Sequence, residues 1–85
     1  MPETFIVTVL DPSGRFETDL EIPSRLPFIV FKAKLLEILK TMDSNAFGSW
    51  SDYFVRFNNY AFRDSDTLAN VGAFDGSRLI AERVR

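Results

Sequence analysis

The pattern of hydrophobic and polar positions predicts two strands at the start of the chain. Residues 4–10 are rich in β-branched and aromatic side chains. In residues 15–22 the side chains of Phe16, Leu20 and Ile22 share one face, and Glu17, Asp19 and Glu21 share the other. This alternation is typical of a strand with one buried and one solvated face. Since residues 11–14 read Asp-Pro-Ser-Gly, which favours a tight turn, the two stretches predict a β-hairpin.

A helical period replaces the alternation in the next segment. We predict a helix from residue 27 to residue 41, because Pro27 suits the first turn, where its missing N–H is not needed. At about 100° per residue, six apolar side chains fall within one stripe. This stripe is the predicted core face: Phe28, Phe31, Leu35, Ile38, Leu39 and Met42.

The remaining sequence predicts three more strands. Residues 43–51 form a turn-rich connector that carries two large aromatic side chains. Strands are expected at 53–57, 60–62 and 78–84, and Asn58-Asn59 is the predicted turn between the first two of these. The loop before the last strand contains a short helical turn near 67–70. The order ββαβββ predicts an α+β fold in which a mixed sheet wraps over one main helix, the β-grasp arrangement. Without a repeat or a linker-like stretch, we expect residues 1–85 to form a single domain.

Composition excludes several kinds of chemistry. The chain has no Cys and no His, so thiolate nucleophiles, histidine bases and ordinary zinc sites are absent. Its carboxylates fall on one strand face and in one loop, which gives neither a catalytic pair nor a calcium loop. No Gly-rich stretch could hold a phosphate. We therefore expect a non-enzymatic protein without a metal or cofactor.

Charge and hydropathy limit the partners and the compartment. With 10 Lys and Arg against 12 Asp and Glu, the net charge is −2, which argues against a nucleic-acid surface. The longest apolar run, at 28–31, is far short of the ~18 residues of a membrane span, so direct membrane insertion is not expected. The first residues have no basic region of a signal peptide, and the cytosol is the expected compartment.

Five short stretches carry a resemblance to known proteins. Residues 31–35, Phe-Lys-Ala-Lys-Leu, and residues 66–68, Asp-Thr-Leu, resemble the corresponding stretches of ubiquitin. Residues 22–27, 68–71 and 74–77 are more specifically similar to the EsaB/YukD family, the small ubiquitin-like proteins of bacterial type VII secretion systems. The resemblance implies the ubiquitin-like form of the β-grasp fold. It also implies a cytosolic accessory or regulatory role through contacts with secretion-apparatus proteins.

The resemblance leaves two other functions open. Ubiquitin-type modifiers end in Gly-Gly, whereas this sequence ends Ala81-Glu82-Arg83-Val84-Arg85, so we do not expect conjugation. One alternative is a modifier whose tail is missing from this sequence. The other is the ubiquitin-like domain of a type VII membrane channel subunit.

The resemblance also bears on the open face of the sheet, which receptors of ubiquitin grip. It places the central positions of that face on Arg56 and Glu82, with Ile80 beside them. We predict a cross-strand ion pair there in place of an apolar contact. Ordinary ubiquitin receptors, which need the apolar contact, are therefore not expected to bind.

The predicted helix carries more apolar side chains than its core face needs. Ile29, Ala33 and Leu36 form a ridge about 100° from the core stripe, and Val30 lies further round. Two interpretations remain open. Either Phe47 and Trp50 of the connector cover this ridge, or the ridge docks a partner protein or a second copy in a weak homodimer. The candidate protein-binding residues are Ile29, Val30, Ala33, Leu36, Phe47 and Trp50.

Overall fold

Two β-hairpins, a fifth strand and two helices build the described part of the chain. The structure is a computed structural model that describes residues 3–84. In chain order its elements are β1 (Thr4–Leu10), β2 (Glu17–Pro23), α1 (Phe28–Met42), α2 (Ser44–Phe47), β3 (Tyr53–Phe57), β4 (Tyr60–Ala61) and β5 (Arg78–Arg83). The strands form one sheet in the order β2-β1-β5-β3-β4. Since β1 and β5 are parallel and the other pairs antiparallel, the sheet is mixed, as predicted.

The β1–β2 hairpin shows how the alternating pattern positions the core. Phe5, Val7 and Val9 of β1 are buried on the side that faces α1. In β2, Ile22 is buried and Leu20 is partly buried, while the acidic residues of that strand stay exposed. The hairpin therefore presents one apolar face and one polar face, as the sequence predicts.

Helix α1 covers the apolar face of the sheet with four buried side chains: Phe28, Phe31, Leu35 and Leu39. The predicted core stripe is too long by one turn, because Met42 is 51% exposed and Ile38 is only partly buried. At that end of the layer the core is completed by Phe47 of α2, which is fully buried. Residues 43–51 were expected to be a connector, and the structure places a short helix there.

The start of α1 is held by backbone groups of a distant loop. Pro27 precedes the helix and offers no side-chain hydrogen bond to it. Instead, the Phe28 N–H donates to the carbonyl of Asp66 at 2.7 Å, and the Ile29 N–H donates to the carbonyl of Asp64 at 3.0 Å. These bonds satisfy donors that a helix leaves free in its first turn.

The β3–β4 turn depends on one unusual backbone conformation. Asn58 has a φ of 56°, and it is the one residue other than glycine with a positive φ among residues 3–84. Asn tolerates this left-handed region better than most residues, since its short polar side chain can hydrogen-bond locally. The Asn-Asn turn that the sequence predicts is therefore confirmed in its position and in its chemistry.

Replacement of Leu35 by Ala tests the register of α1. Leu35 is 3% exposed, and the truncation would leave a cavity between helix and sheet, so we expect the free energy of unfolding to fall by about 2–5 kcal/mol. Urea denaturation of Leu35→Ala and of an exposed control, Glu21→Ala, measures this. Equal midpoints for the two variants would contradict the observed register.

Candidate functional site

The outer side of α1 exposes most of the apolar helix residues that the sequence singles out. Ile29 and Val30 are 58% and 57% exposed, and Ala33 is exposed as well. Leu36 is partly buried and packs against the core cluster. The connector does not cover Ile29 or Val30, so the interpretation of a closed ridge does not describe this structure.

The helix separates the predicted ridge into two flanks. Ile29, Ala33 and Leu36 line a groove of about 420 Å³ between α1 and the start of β3, where Ser51 and Tyr53 form the other side. We call this the α1–β3 groove. Val30 instead lines a groove of about 190 Å³ between α1 and β2, the α1–β2 groove. The structure therefore brings three of the predicted residues together and places the fourth on the opposite flank.

Two lysines flank the apolar part of the α1–β3 groove. Lys32 Nζ lies 3.0 Å from Asp52 Oδ1, and this hydrogen bond holds the pKa of the Asp52 carboxyl below its ordinary value. Lys32 Nζ also lies 5.8 Å from the centre of the Tyr53 ring. Lys40, two helical turns further along, has no ion-pair partner among residues 3–84. The groove thus combines an apolar floor with an ion-paired lysine at one end and the unpaired Lys40 at the other.

Tyr53 ties the groove to the core. Its ring is 1% exposed, and its hydroxyl donates a 2.6 Å hydrogen bond to the backbone carbonyl of Lys32. Burial raises the pKa of the Tyr53 phenol well above its ordinary value. This bond links α1 to β3, the two elements between which the groove lies.

Phe47 and Trp50 do not belong to the surface for which they were proposed. They are 0% and 8% exposed, and their ring centres lie 4.7 Å apart in an edge-to-face contact. Phe47 also meets Phe16 edge to face at 4.8 Å. The local cause is α2: the Asp43 side chain accepts the Ala46 N–H at 3.1 Å and starts a helical turn that directs Phe47 inward. The Asp at the start of this turn is the sequence signal that could have predicted α2.

The loop carboxylate Asp66 binds groups that are close to it in the chain. Asp66 accepts hydrogen bonds from the Tyr60 hydroxyl and from the Arg63 N–H. Within residues 3–84 no group of three or more acidic side chains is close enough to hold a metal ion. In the same part of the chain, neither helix has the length and apolar character needed to span a bilayer.

Comparison with known proteins identifies the fold through solved structures. No protein-family model and no curated protein matches the chain. The EccD5 ubiquitin-like domain from Mycobacterium xenopi superimposes with a TM-score of 0.81 at 14% identity, over 99% of this chain and 98% of that one. The ubiquitin-like domain of the Mycobacterium tuberculosis type VII secretion protein ECCD1 gives 0.73 at 22% identity, over 96% and 99%. The chain has the ubiquitin-like fold.

A third ubiquitin-like structure is part of a much longer chain. In the MycP5-free ESX-5 inner membrane complex, one chain matches with a TM-score of 0.79 at 16% identity. The match covers 98% of this protein and 21% of that chain. The ubiquitin-like fold is thus found there as one segment of a larger polypeptide.

The open face of this ubiquitin-like sheet carries the predicted ion pair. Arg56 Nε lies 2.9 Å from Glu82 Oε2, and both side chains are partly buried. Ile80, the residue that pairs with Arg56 in the β3–β5 register, is partly buried beside them. The prediction of a polar contact at the centre of this face is confirmed.

Phe47→Ala distinguishes a core residue from a binding residue. Since Phe47 is fully buried against Phe16 and Trp50, we expect its loss to lower the free energy of unfolding by about 3–5 kcal/mol. Thermal denaturation measures the effect, with the exposed neighbour Asn45→Ala as the control. A Phe47→Ala variant as stable as the control would show that this side chain is not part of the core.

The two tyrosines predict how stability depends on alkaline pH. Burial raises the pKa of Tyr53, and the hydrogen bond to Asp66 raises that of Tyr60. In the unfolded state tyrosines ionise at about pH 10, while these two keep their protons in the folded state. The free energy of unfolding therefore falls as pH rises above that value. We expect the contribution of both groups to be complete below about pH 10 and to be lost above it.

Urea denaturation between about pH 8 and pH 11 measures this loss. Lysines titrate in the same range, so the comparison with Tyr53→Phe isolates one phenol. The variant should lose less stability across the range than the unsubstituted protein. Parallel curves would show that Tyr53 does not contribute.

Proposed function

We propose that this protein is a non-enzymatic interaction module of a bacterial type VII secretion apparatus. The observation that carries the proposal is the fold match to the EccD5 and ECCD1 ubiquitin-like domains over nearly the full length of each chain. The match to a chain of an ESX-5 inner membrane complex supports the same assignment. The sequence resemblance to the EsaB/YukD family points in that direction independently. The protein acts in the cytoplasm, as either a free accessory protein or the ubiquitin-like segment of a channel subunit.

The α1–β3 groove is the contact surface in this proposal. A helix that packs on a sheet ordinarily has a polar outer side, whereas here Ile29 and Ala33 are exposed at the edge of an apolar groove. Lys32 and Lys40 flank the floor at a spacing of two helical turns. An amphipathic helix of a secretion-apparatus subunit, apolar on one side and bearing Asp or Glu near its ends, has the matching chemistry.

The absence of reactive groups in the groove supports a binding role. Its ionisable side chains are two lysines, Glu37 and the phenol of Tyr53, which is buried and bonded to a backbone carbonyl. A second copy of the chain fits less well, because two facing grooves would bring two unpaired Lys40 side chains into one contact surface. Recognition of a separate acidic and apolar segment is the better match.

Ala33→Glu tests the groove without disturbing the core. Ala33 is exposed on a helix, so the variant should keep its melting temperature, while the new carboxylate blocks the apolar floor and repels an acidic partner. We expect at least about tenfold less co-purification of type VII membrane-complex subunits from the native host. Asn45→Glu, an exposed change on α2, is the matched control.

Three outcomes would contradict parts of this proposal. Unchanged capture by Ala33→Glu, with loss of capture by Arg56→Ala, would move the contact to the open sheet face. A concentration-dependent dimer that Ala33→Glu dissolves would make the occupant a second copy. Normal type VII secretion after deletion of the gene, with no apparatus subunit captured, would reject the assignment to the system.

A further inference from the structure

The outer edge of β2 is a second candidate binding surface, because its backbone hydrogen-bonding groups have no neighbouring strand. β2 is the terminal strand of the sheet and has a neighbour, β1, on one side only. The Asp11 N–H donates to the Phe16 carbonyl at one end of the hairpin, and the Ser24 N–H donates to the Glu3 carbonyl at the other. In an antiparallel pair the bonded positions alternate, so every second residue of β2 directs its backbone away from β1.

This alternation fixes which backbone groups face outward. Counting from the bonded pairs at both ends of the hairpin, Thr18, Leu20 and Ile22 bond to β1. The N–H and C=O groups of Glu17, Asp19 and Glu21 therefore point to the free edge. Such a row of groups is a template for an added strand. The opposite edge, β4, is only two residues long and offers much less.

On its inner side the β2 edge opens onto the α1–β2 groove. Leu20 lines it from the strand, Leu26 from the segment between β2 and α1, and Val30 and Ile38 from the helix. Lys34, which is paired with Glu37 at 3.7 Å, also lines it. Its volume of about 190 Å³ is several times the ~30 Å³ of a water molecule, enough for a branched aliphatic side chain. Every second side chain of a strand added to β2 would point toward this groove.

On its outer side the same edge is acidic. Glu17, Asp19 and Glu21 are exposed on the solvated face. Arg78 lies 3.1 Å from the Glu17 carboxylate and compensates part of its charge. Asp19 accepts a hydrogen bond from the neutral Thr8 hydroxyl, and the Glu21 side chain has no partner among residues 3–84. Two carboxylates on this face thus lack a cation.

We propose that the β2 edge binds an extended segment of a partner protein in which apolar residues alternate with Lys or Arg. The segment joins the sheet as a sixth strand, its apolar side chains entering the α1–β2 groove and its cations facing Asp19 and Glu21. A second copy of this chain is a poor occupant, because antiparallel pairing of two β2 edges sets acidic side chains opposite acidic side chains. This site is on the other flank of α1 from the α1–β3 groove and does not depend on the function proposed for that groove.

Amide hydrogen exchange observed by NMR tests the proposal directly. The probe is a synthetic heptapeptide with the alternating sequence Lys-Val-Lys-Val-Lys-Val-Lys. In the free protein, the amides of Glu17, Asp19 and Glu21 should exchange rapidly. With the peptide in excess, their exchange should slow by about tenfold or more, because they now donate to the peptide. A peptide of the same composition with its lysines and valines in separate blocks is the first control.

Charge reversal supplies the second control. Glu21→Lys removes the unpaired carboxylate, so it should weaken binding of the alternating peptide by about fivefold to tenfold. It should strengthen binding of an analogue that has Glu in place of each Lys. Asp64→Lys makes the same charge change in an exposed loop and should alter neither peptide's binding appreciably. Ala33→Glu should also leave binding intact, which separates this site from the α1–β3 groove.

Several outcomes would overturn the proposal. These are protection confined to α1, equal binding of the blocked peptide, or no protection of the three amides at saturating peptide. Protection that rises with protein concentration alone would instead identify a second copy as the occupant. Equal losses for Glu21→Lys and Asp64→Lys would show a general charge effect rather than recognition at β2.

Discussion

The parallel pairing of β1 with β5 is the constraint on which the rest of this architecture depends. Parallel strands cannot be joined by a tight turn, so the chain between them must leave the sheet and return. Here the chain between β1 and β5 first adds β2 to one edge of the sheet, then crosses over it as α1 and α2, and returns to the other edge as the β3–β4 hairpin. Val9 and Leu79, which are partners in the parallel register, are both fully buried beneath this cover.

The two grooves follow from the dimensions of the layers. Five strands spaced about 4.8 Å apart span roughly 19 Å, whereas one helix with its side chains is about 10–12 Å wide. A single helix therefore covers the central strands and leaves an uncovered strip on each side. The buried side chains of Phe47 and Trp50 occupy part of this uncovered strip. The parts that stay uncovered are the two grooves. Both candidate binding surfaces thus have one geometric origin, although the unpaired charged side chain is Lys40 at one and Glu21 at the other.

The sequence predicts this architecture well where periodicity and turn chemistry agree. The alternation in β2 and the helical stripe of α1 locate both elements within two residues, and Asn58 marks its turn. Prediction fails where tertiary packing decides. The hydropathy of Phe47 is the same whether its side chain packs inward or outward. The helical turn that begins at Asp43 directs it into the core.

The candidate site shows the same division. Helical spacing alone predicts that Ile29, Ala33 and Leu36 share a side, because that side is a local property of the helix. The same spacing cannot show that Val30 faces a different groove, since the position of β2 relative to α1 is set by contacts distant in sequence. The free edge of β2 depends on strand order, which a hydropathy pattern does not encode.

The carbonyls that hold the start of α1 make the loop before β5 an integral part of the helix. Residues 64 and 66 complete the first turn, and the carbonyl of Ser24, just before α1, accepts the Ala69 N–H at 2.8 Å. A loop usually tolerates inserted sequence because few groups depend on its path. This one does not have that freedom, whereas the hydrogen bonds of the exposed Pro12–Gly14 turn stay within residues 11–16. A reporter or a new chain terminus placed at that turn would leave the helix start intact, and the same insertion near residue 65 would unravel it.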